Sequence, residues 1–146
     1  MAIVRDYPYG NARFLVQIDG VEEAGFAEVH LPELTELVAE YREGGDREGP
    51  PHLLPERPQV GRMLLRRGFR GSLSLYRWYR QVADGEQGAR RDVAVQLFDE
   101  GMAAVVATWR LRGAWPARYA VSPLRALGGE VLTEEAELVG ERFDVE

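Results

Sequence analysis

The chain has 146 residues, 45% of them hydrophobic and 29% charged, the balance of one soluble globular domain with a real core and too short for two. It contains no cysteine, which excludes disulfides and thiolate zinc sites, and its formal net charge of −6 speaks against a dedicated nucleic-acid binder, which needs concentrated positive surface. All 18 basic residues are arginine, whose planar fork suits interface ion pairs better than the point charge of lysine. No apolar run approaches the ~18 residues of a membrane span, and no basic-then-apolar leader opens the sequence. The expectation is synthesis in the cytoplasm without a signal peptide and no membrane insertion by this chain.

Residues 12–18 alternate, with Phe14, Val16 and Ile18 on one face, and so read as a half-buried strand. Asp19-Gly20 is a hairpin signal, because both residues tolerate positive φ. The return strand is expected over 21–29, with Gly25 as a bulge or a point of close approach and Pro32 as its stop. Residues 33–41 carry Leu37, Ala39 and Tyr41 on one face and Glu36, Val38 and Glu40 on the other if extended. Leu, Glu and Ala also favour helix, and the pattern alone leaves both readings open.

The stretch 43–58 holds Gly44, Gly45, Gly49, Pro50, Pro51, Pro55 and Pro58 among charged residues and is expected to be one long loop. A strand over 60–67 ends at Gly68. Ser72 is the expected N-cap of a helix over 73–83 that Gly85 closes, with Leu75, Trp78, Tyr79 and Val82 as its apolar stripe. Strands follow over 91–98 and 103–112, the second stopped by Pro116, with a short strand over 118–121 and a last one over 130–139. One helix among many strands predicts a mainly antiparallel β domain.

No set of residues for catalysis emerges. His30 and His52 lie far apart in the chain and form no paired-histidine motif, so no metal site is expected. Ser72, Ser74 and Ser122 lie in no nucleophile elbow, and nothing selects one pair among the many carboxylates. Gly68 to Gly71 lack the lysine and spacing of a phosphate loop. Trp78, Tyr79, Trp109 and Trp115 are better read as packing than as a ligand box. Arg62, Arg66, Arg67 and Arg70 are the densest basic stretch, but Arg66 and Arg67 point to opposite faces of a strand. An inter-subunit salt-bridge row, facing Glu36 and Glu40 or the acidic loop, is the expectation, and such pairs set register more than affinity.

Seven landmarks occur in order: Phe14-Leu15-Val16-Gln17-Ile18-Asp19-Gly20, Ala24-Gly25-Phe26-Ala27-Glu28-Val29, Glu40-Tyr41-Arg42-Glu43-Gly44-Gly45, Leu64-Leu65-Arg66-Arg67-Gly68, Trp78-Tyr79, Ala114-Trp115-Pro116 and Glu130-Val131-Leu132. Together, across residues 13–139, they resemble the bacteriophage-type tail tube proteins, including the inner tubes of contractile injection systems. The resemblance implies strand for residues 33–41 and two antiparallel sheets packed as a sandwich or flattened barrel, with one flanking helix at about 72–84. It further implies six-fold rings that stack into a tube, with no enzymatic activity and no cofactor. Partners would be further copies of the chain, sheath and baseplate or spike proteins, and luminal cargo protein or DNA. The 43–58 segment would be an arm that orders on a neighbour. The expected interface residues are Glu36, Glu40, Arg42, Glu43, Gly44, Gly45, Asp46, Arg62, Arg66 and Arg67. The alternatives are a tube initiator at the baseplate and, outside the class, a small monomeric β-barrel ligand-binding domain.

Overall fold

The computed structural model describes residues 4–23, 25–45 and 49–146. Strand β1 (Phe14–Ile18) turns through Asp19 and Gly20, at φ 52° and 77°, into β2 (Val21–Glu23), the expected tight hairpin. The expected return strand does not continue. It breaks at Gly25 (φ 85°), and β3 (Phe26–His30) pairs elsewhere. Next come β4 (Leu34–Tyr41), β5 (His52–Val60), β6 (Met63–Gly68) and helix α1 (Ser74–Ala83). The chain ends with β7 (Arg91–Phe98), β8 (Val105–Val121), β9 (Thr133–Val139) and β10 (Arg142–Val145).

Eight strands form one antiparallel sheet in the order β2-β1-β7-β8-β9-β6-β3, with β10 also on β8, while β4 and β5 form a separate two-stranded sheet. Among the described residues the architecture is therefore mainly β, two antiparallel sheets and one helix, with no closed barrel. The sandwich character comes from a fold within the large sheet. β8 is 17 residues long, with its first part paired to β7 and β10 and its second to β9. Gly113, at φ 62°, stands between the two parts in a backbone conformation that residues with a Cβ rarely adopt. Alongside it the last strand of the chain divides at Gly140 into β9 and β10. Val16, Ile18, Val93, Val95 and Leu111 from one half then share a core with Met63, Leu65, Ala136 and Leu138 from the other.

Pro116 does not stop the strand, as the sequence reading had it. It is fully buried inside β8, at an irregularity between Pro116 and Arg118 where the ladder does not require its missing N–H. The single long loop over 43–58 is likewise a misreading. His52–Val60 is a strand, with Pro58 opposite Glu36 and Pro55 opposite Val38. The two prolines are three positions apart, an odd spacing, so an unbroken ladder would demand an N–H from one of them. The register shift opposite Leu37 and Val38 leaves Glu56 unpaired, and this bulge brings both prolines to the same phase of the alternation. Gly61 N donates to Glu33 O at 2.9 Å, so that pair is a bonded one. Counting from it, both prolines stand at positions that point away from β4.

Helix α1 also begins later than expected. Its N-cap is Leu73, without a side-chain cap, because Ser72 sits one residue too early and reaches Ser74 N only at 3.4 Å. Its C-terminus closes as the sequence implies, with Gly85 N to Val82 O and Glu86 N to Gln81 O, both at 3.0 Å. Leu75 and Trp78 are buried, and Trp78 Nε1 donates to Ala89 O at 2.6 Å. Among the described residues no helix is long and apolar enough to cross a membrane.

A polar knot fixes this helix to the sheet. Arg67 on β6 is 6% exposed and Glu134 on β9 is 1% exposed. Arg67 Nε donates to Glu134 Oε1 at 2.7 Å, and Arg67 Nη2 donates to Ser74 Oγ at 2.7 Å. Tyr119 on β8 donates its hydroxyl to Glu134 Oε2 at 2.6 Å. Glu23, at 3.6 Å from Arg67 Nη1, brings β2 to the same point. Among the described residues no buried side-chain polar atom lacks a partner.

Two outcomes follow for stability. A Cβ on Gly140 would lie 2.6 Å from Leu111 Cγ and Cδ1, and Leu111 is fully buried in the core. Gly140→Ala is expected to cost about 1–3 kcal/mol, read as a lower urea midpoint at constant slope. At the knot, burial first and the bond to Glu134 second push the Tyr119 phenol from its ordinary 10 up to about 12. The stability linked to this raised value is fully present below pH 10 and is lost as pH rises from 10 to about 12. Tyr119→Phe should be less stable at neutral pH by about 1–3 kcal/mol, since one carboxylate oxygen loses its partner. Its thermal midpoint should fall less than that of wild type across the alkaline window, and parallel curves would refute the assignment.

Candidate inter-subunit interface

The β4–β5 ribbon is joined to the rest of the protein at Glu33–Gly61 and carries no buried residue. Cross-strand pairing puts Leu34, Val60, Glu36, Pro58, Val38, Pro55, Glu40 and Leu53 on one face. Thr35, Gln59, Leu37, Arg57, Ala39, Leu54, Tyr41 and His52 make the other. Leu53 is 65% exposed, Val38 57% and Leu54 50%, so apolar side chains meet solvent on both faces. An isolated two-stranded ribbon is at best marginally stable in water, and these residues are what a partner would cover.

Of the residues expected at an interface, Glu36 and Glu40 are on this ribbon, exposed, on one face. Arg42, Glu43, Gly44 and Gly45 follow at its tip and are exposed as well. Asp46 lies outside the described residues. The ribbon's apolar residues were missed as interface candidates. Leu53 and Leu54 gave a signal, two apolar side chains inside a stretch that prolines made look like a loop.

The arginines behave differently. Arg67 turns inward, into the buried knot with Glu134, and is not available to a neighbour. Arg66 faces outward but is engaged within the chain, with Nη2 2.7 Å from Glu135 and Nη1 3.2 Å from Glu28. Arg118 contacts the same Glu135 and also Glu137 at 2.9 Å, and Arg62 reaches Glu137 at 3.9 Å. A row of ion pairs is thus present, but it runs across β3, β6, β9 and β8 within the chain and is not the expected row between subunits. Alternation along β6 foretold that Arg66 and Arg67 would face opposite ways. The carboxylates that meet them come from β9, beyond the reach of local pattern.

These pairs are also the source of the shifted acids. A hydrogen bond with His30, and then Arg66, hold Glu28 below the usual carboxylate range. Arg142 first, and then Arg112, do the same for Asp144. Arg5 lowers Glu100 to about 2. The three lie on separate strands and loops, each spent on its own partner. An apolar groove of about 260 Å³ opens between Phe14, Leu97 and Trp109 on one side and Val29 and Leu31 on the other. Its polar lining residues are Asn11 and Glu28, and Glu28 is already held by His30 and Arg66.

Known proteins share this fold. The family model of the T4-like virus tail tube protein gp19 matches residues 10–144. None of the curated proteins compared matches the chain significantly. Among solved structures, the chain is similar to one in the six-fold symmetrised anti-feeding prophage baseplate, at 26% identity and TM-score 0.82, covering 97% of each chain. A chain of the anti-feeding prophage tube-terminating cap superimposes at TM-score 0.85 and 22% identity, over 100% of this chain and 95% of that one. A chain of the sheath–tube complex of an extracellular contractile injection system, PVC, in the extended state gives TM-score 0.80 and 22% identity, over 97% and 93%. At those last identities the likeness is one of fold. With a family match that spans nearly the whole sequence, this chain belongs to the T4-like virus tail tube protein gp19 family, a family of structural proteins and not of enzymes.

Proposed function

We propose that this chain is a subunit of the inner tube of a contractile phage tail or a phage-tail-like injection system. Six copies form a ring, rings stack into a hollow conduit, and cargo protein or DNA passes through it. The observation that carries this reading is the β4–β5 ribbon, an ordered two-stranded sheet with apolar side chains on both faces and, among the described residues, nothing of its own chain to bury them. Membership of a tail tube family supports it, as do similar chains in a six-fold symmetrised baseplate and a sheath–tube complex. Sheath and baseplate proteins are the further partners. In this reading Glu36, Glu40 and the tip residues Arg42 to Gly45 belong to the contact, while Arg66 sets the shape of its own subunit first.

A second reading is favoured by the 26% identity to the baseplate chain: a tube initiator that forms one ring and does not polymerise alone. One experiment separates the two. Purified protein at high concentration is viewed by negative-stain microscopy while its mass is measured by light scattering. Stacked six-fold tubes are expected for the tube subunit, and single rings for the initiator. A strict monomer, persisting when the cognate baseplate ring is added, would overturn both.

A further inference from the structure

The chain carries an apolar projection and, away from it, an apolar groove. The projection is the loop over 122–132 between β8 and β9. Its base is tied by Ser122 N to Thr133 O and Thr133 N to Ser122 Oγ, both at 2.9 Å, and by Phe69 N to Leu132 O at 2.8 Å. Within it Gly128 N donates to Arg125 O at 3.1 Å, and Arg125 lies 3.6 Å from Glu130. A loop with its ends held together and bonds of its own is ordered before anything meets it. Its apolar side chains nevertheless point to solvent. Leu124 is 83% exposed, Leu127 fully so, and Val131 is exposed as well. One such leucine needs no explanation, but three apolar side chains on one ordered loop mark a contact surface.

The groove, of about 260 Å³, runs between Phe14, Leu97 and Trp109 on one side and Val29 and Leu31 on the other. Register separates it from the loop. Thr133, where the loop ends, stands opposite Gly68 at the end of β6, while Leu31 follows His30, which stands opposite Leu64 near its start. Most of β6 lies between them, about 13 Å at 3.3 Å a residue. With Leu127 fully exposed, the loop does not fill the groove of its own chain. Resting on the tube reading, we infer that the 122–132 loop of one copy seats in this groove of a second copy. Leu124 and Leu127 enter between Trp109 and Leu31. Arg125, between them in the sequence, comes to the rim, where the charged lining residue is Glu28. That carboxylate is 43% exposed and keeps lone pairs beyond those that His30 and Arg66 use. The ribbon face that carries Val38 and Leu53 would instead bring Glu36 and Glu40 to Glu28, like charge against like. Projection and groove are different surfaces at different ends of β6, so the contact is head-to-tail. It repeats in one direction, as stacking copies requires.

The test uses a side chain that touches nothing in its own chain. Leu127→Asp should leave far-UV circular dichroism and thermal midpoint unchanged, while sedimentation velocity and negative-stain microscopy read assembly. The variant is expected to need roughly tenfold or more protein to form stacks. The chain has no cysteine, so introduced ones report single contacts. Leu127→Cys protein mixed with Asn11→Cys protein, altered at the rim of the groove, should be joined by a short bis-maleimide once assembled. Mixed with Gln87→Cys, exposed between α1 and β7, it should not be. Normal stacking of Leu127→Asp overturns the inference and leaves the tube reading standing. Lost stacking without a cross-link between positions 127 and 11 overturns it too, because the loop would then meet another surface. Wild-type rings that never stack also overturn it and leave the initiator. A wild-type protein that stays monomeric even with the baseplate ring added refutes the tube reading itself.

Discussion

The buried pair of Arg67 and Glu134 is the interaction on which the rest of the subunit depends. Burying two charges costs several kcal/mol each, and the mutual attraction repays it only when every remaining donor and acceptor finds a partner. Here they do. Glu134 spends one oxygen on Arg67 and the other on Tyr119, and Arg67 spends a second donor on Ser74 at the start of α1. The knot thus gathers β6, β8, β9 and the helix, with Glu23 of β2 at its margin. An apolar cluster at this place would be as cohesive and less particular. Hydrogen bonds of fixed direction permit one placement of the helix, and so one shape for the subunit that must repeat.

The same demand for one shape explains the corner. Gly113 has a backbone that only glycine adopts freely, and Gly140 stands where Leu111 leaves no room for a Cβ. β8 and the β9–β10 pair can therefore run on from one half of the sheet into the other. The outer ion-pair row of Glu28, Arg66, Arg118, Glu135 and Glu137 crosses four strands of one half. Exposed pairs of this kind add little stability, so their use is to hold register across the face.

Much of this was legible in the sequence, and most of the failures share a cause. Period-two alternation located β1 and β7, the family resemblance made 33–41 a strand where β4 stands, and Asp19-Gly20 and Gly85 marked a turn and the helix end. The misread strands around residues 25, 55–58 and 116 each had a proline or glycine in them, while β10, RFDV, was missed without either. Pro55, Pro58 and Pro116 were taken as breakers because a proline costs a ladder bond, but each occupies a bulge or an outward position where no bond is due. The compensating feature in β5 is one unpaired residue, Glu56, which nothing in the local pattern announces. Gly25 was read as a bulge in one strand, whereas the flanking segments go to opposite ends of the sheet. For the arginines, alternation established that Arg66 and Arg67 diverge, but only the pairing of β6 with β9 decides which of them is buried.

Prolines at outward positions also say something about purpose. A ribbon with two open edges can add a strand on either side and continue without limit, the route by which sheets aggregate. A ribbon with two closed edges adds none. This one, with Pro55 and Pro58 on β5 and no proline on β4, is open on one side alone. The acidic residues of β4, Glu36 and Glu40, disfavour pairing of that edge with itself, so a second copy meeting it would have to present a different surface. A contact between unlike surfaces of identical subunits is head-to-tail, and repeated copies of it either close into a ring or extend as a filament.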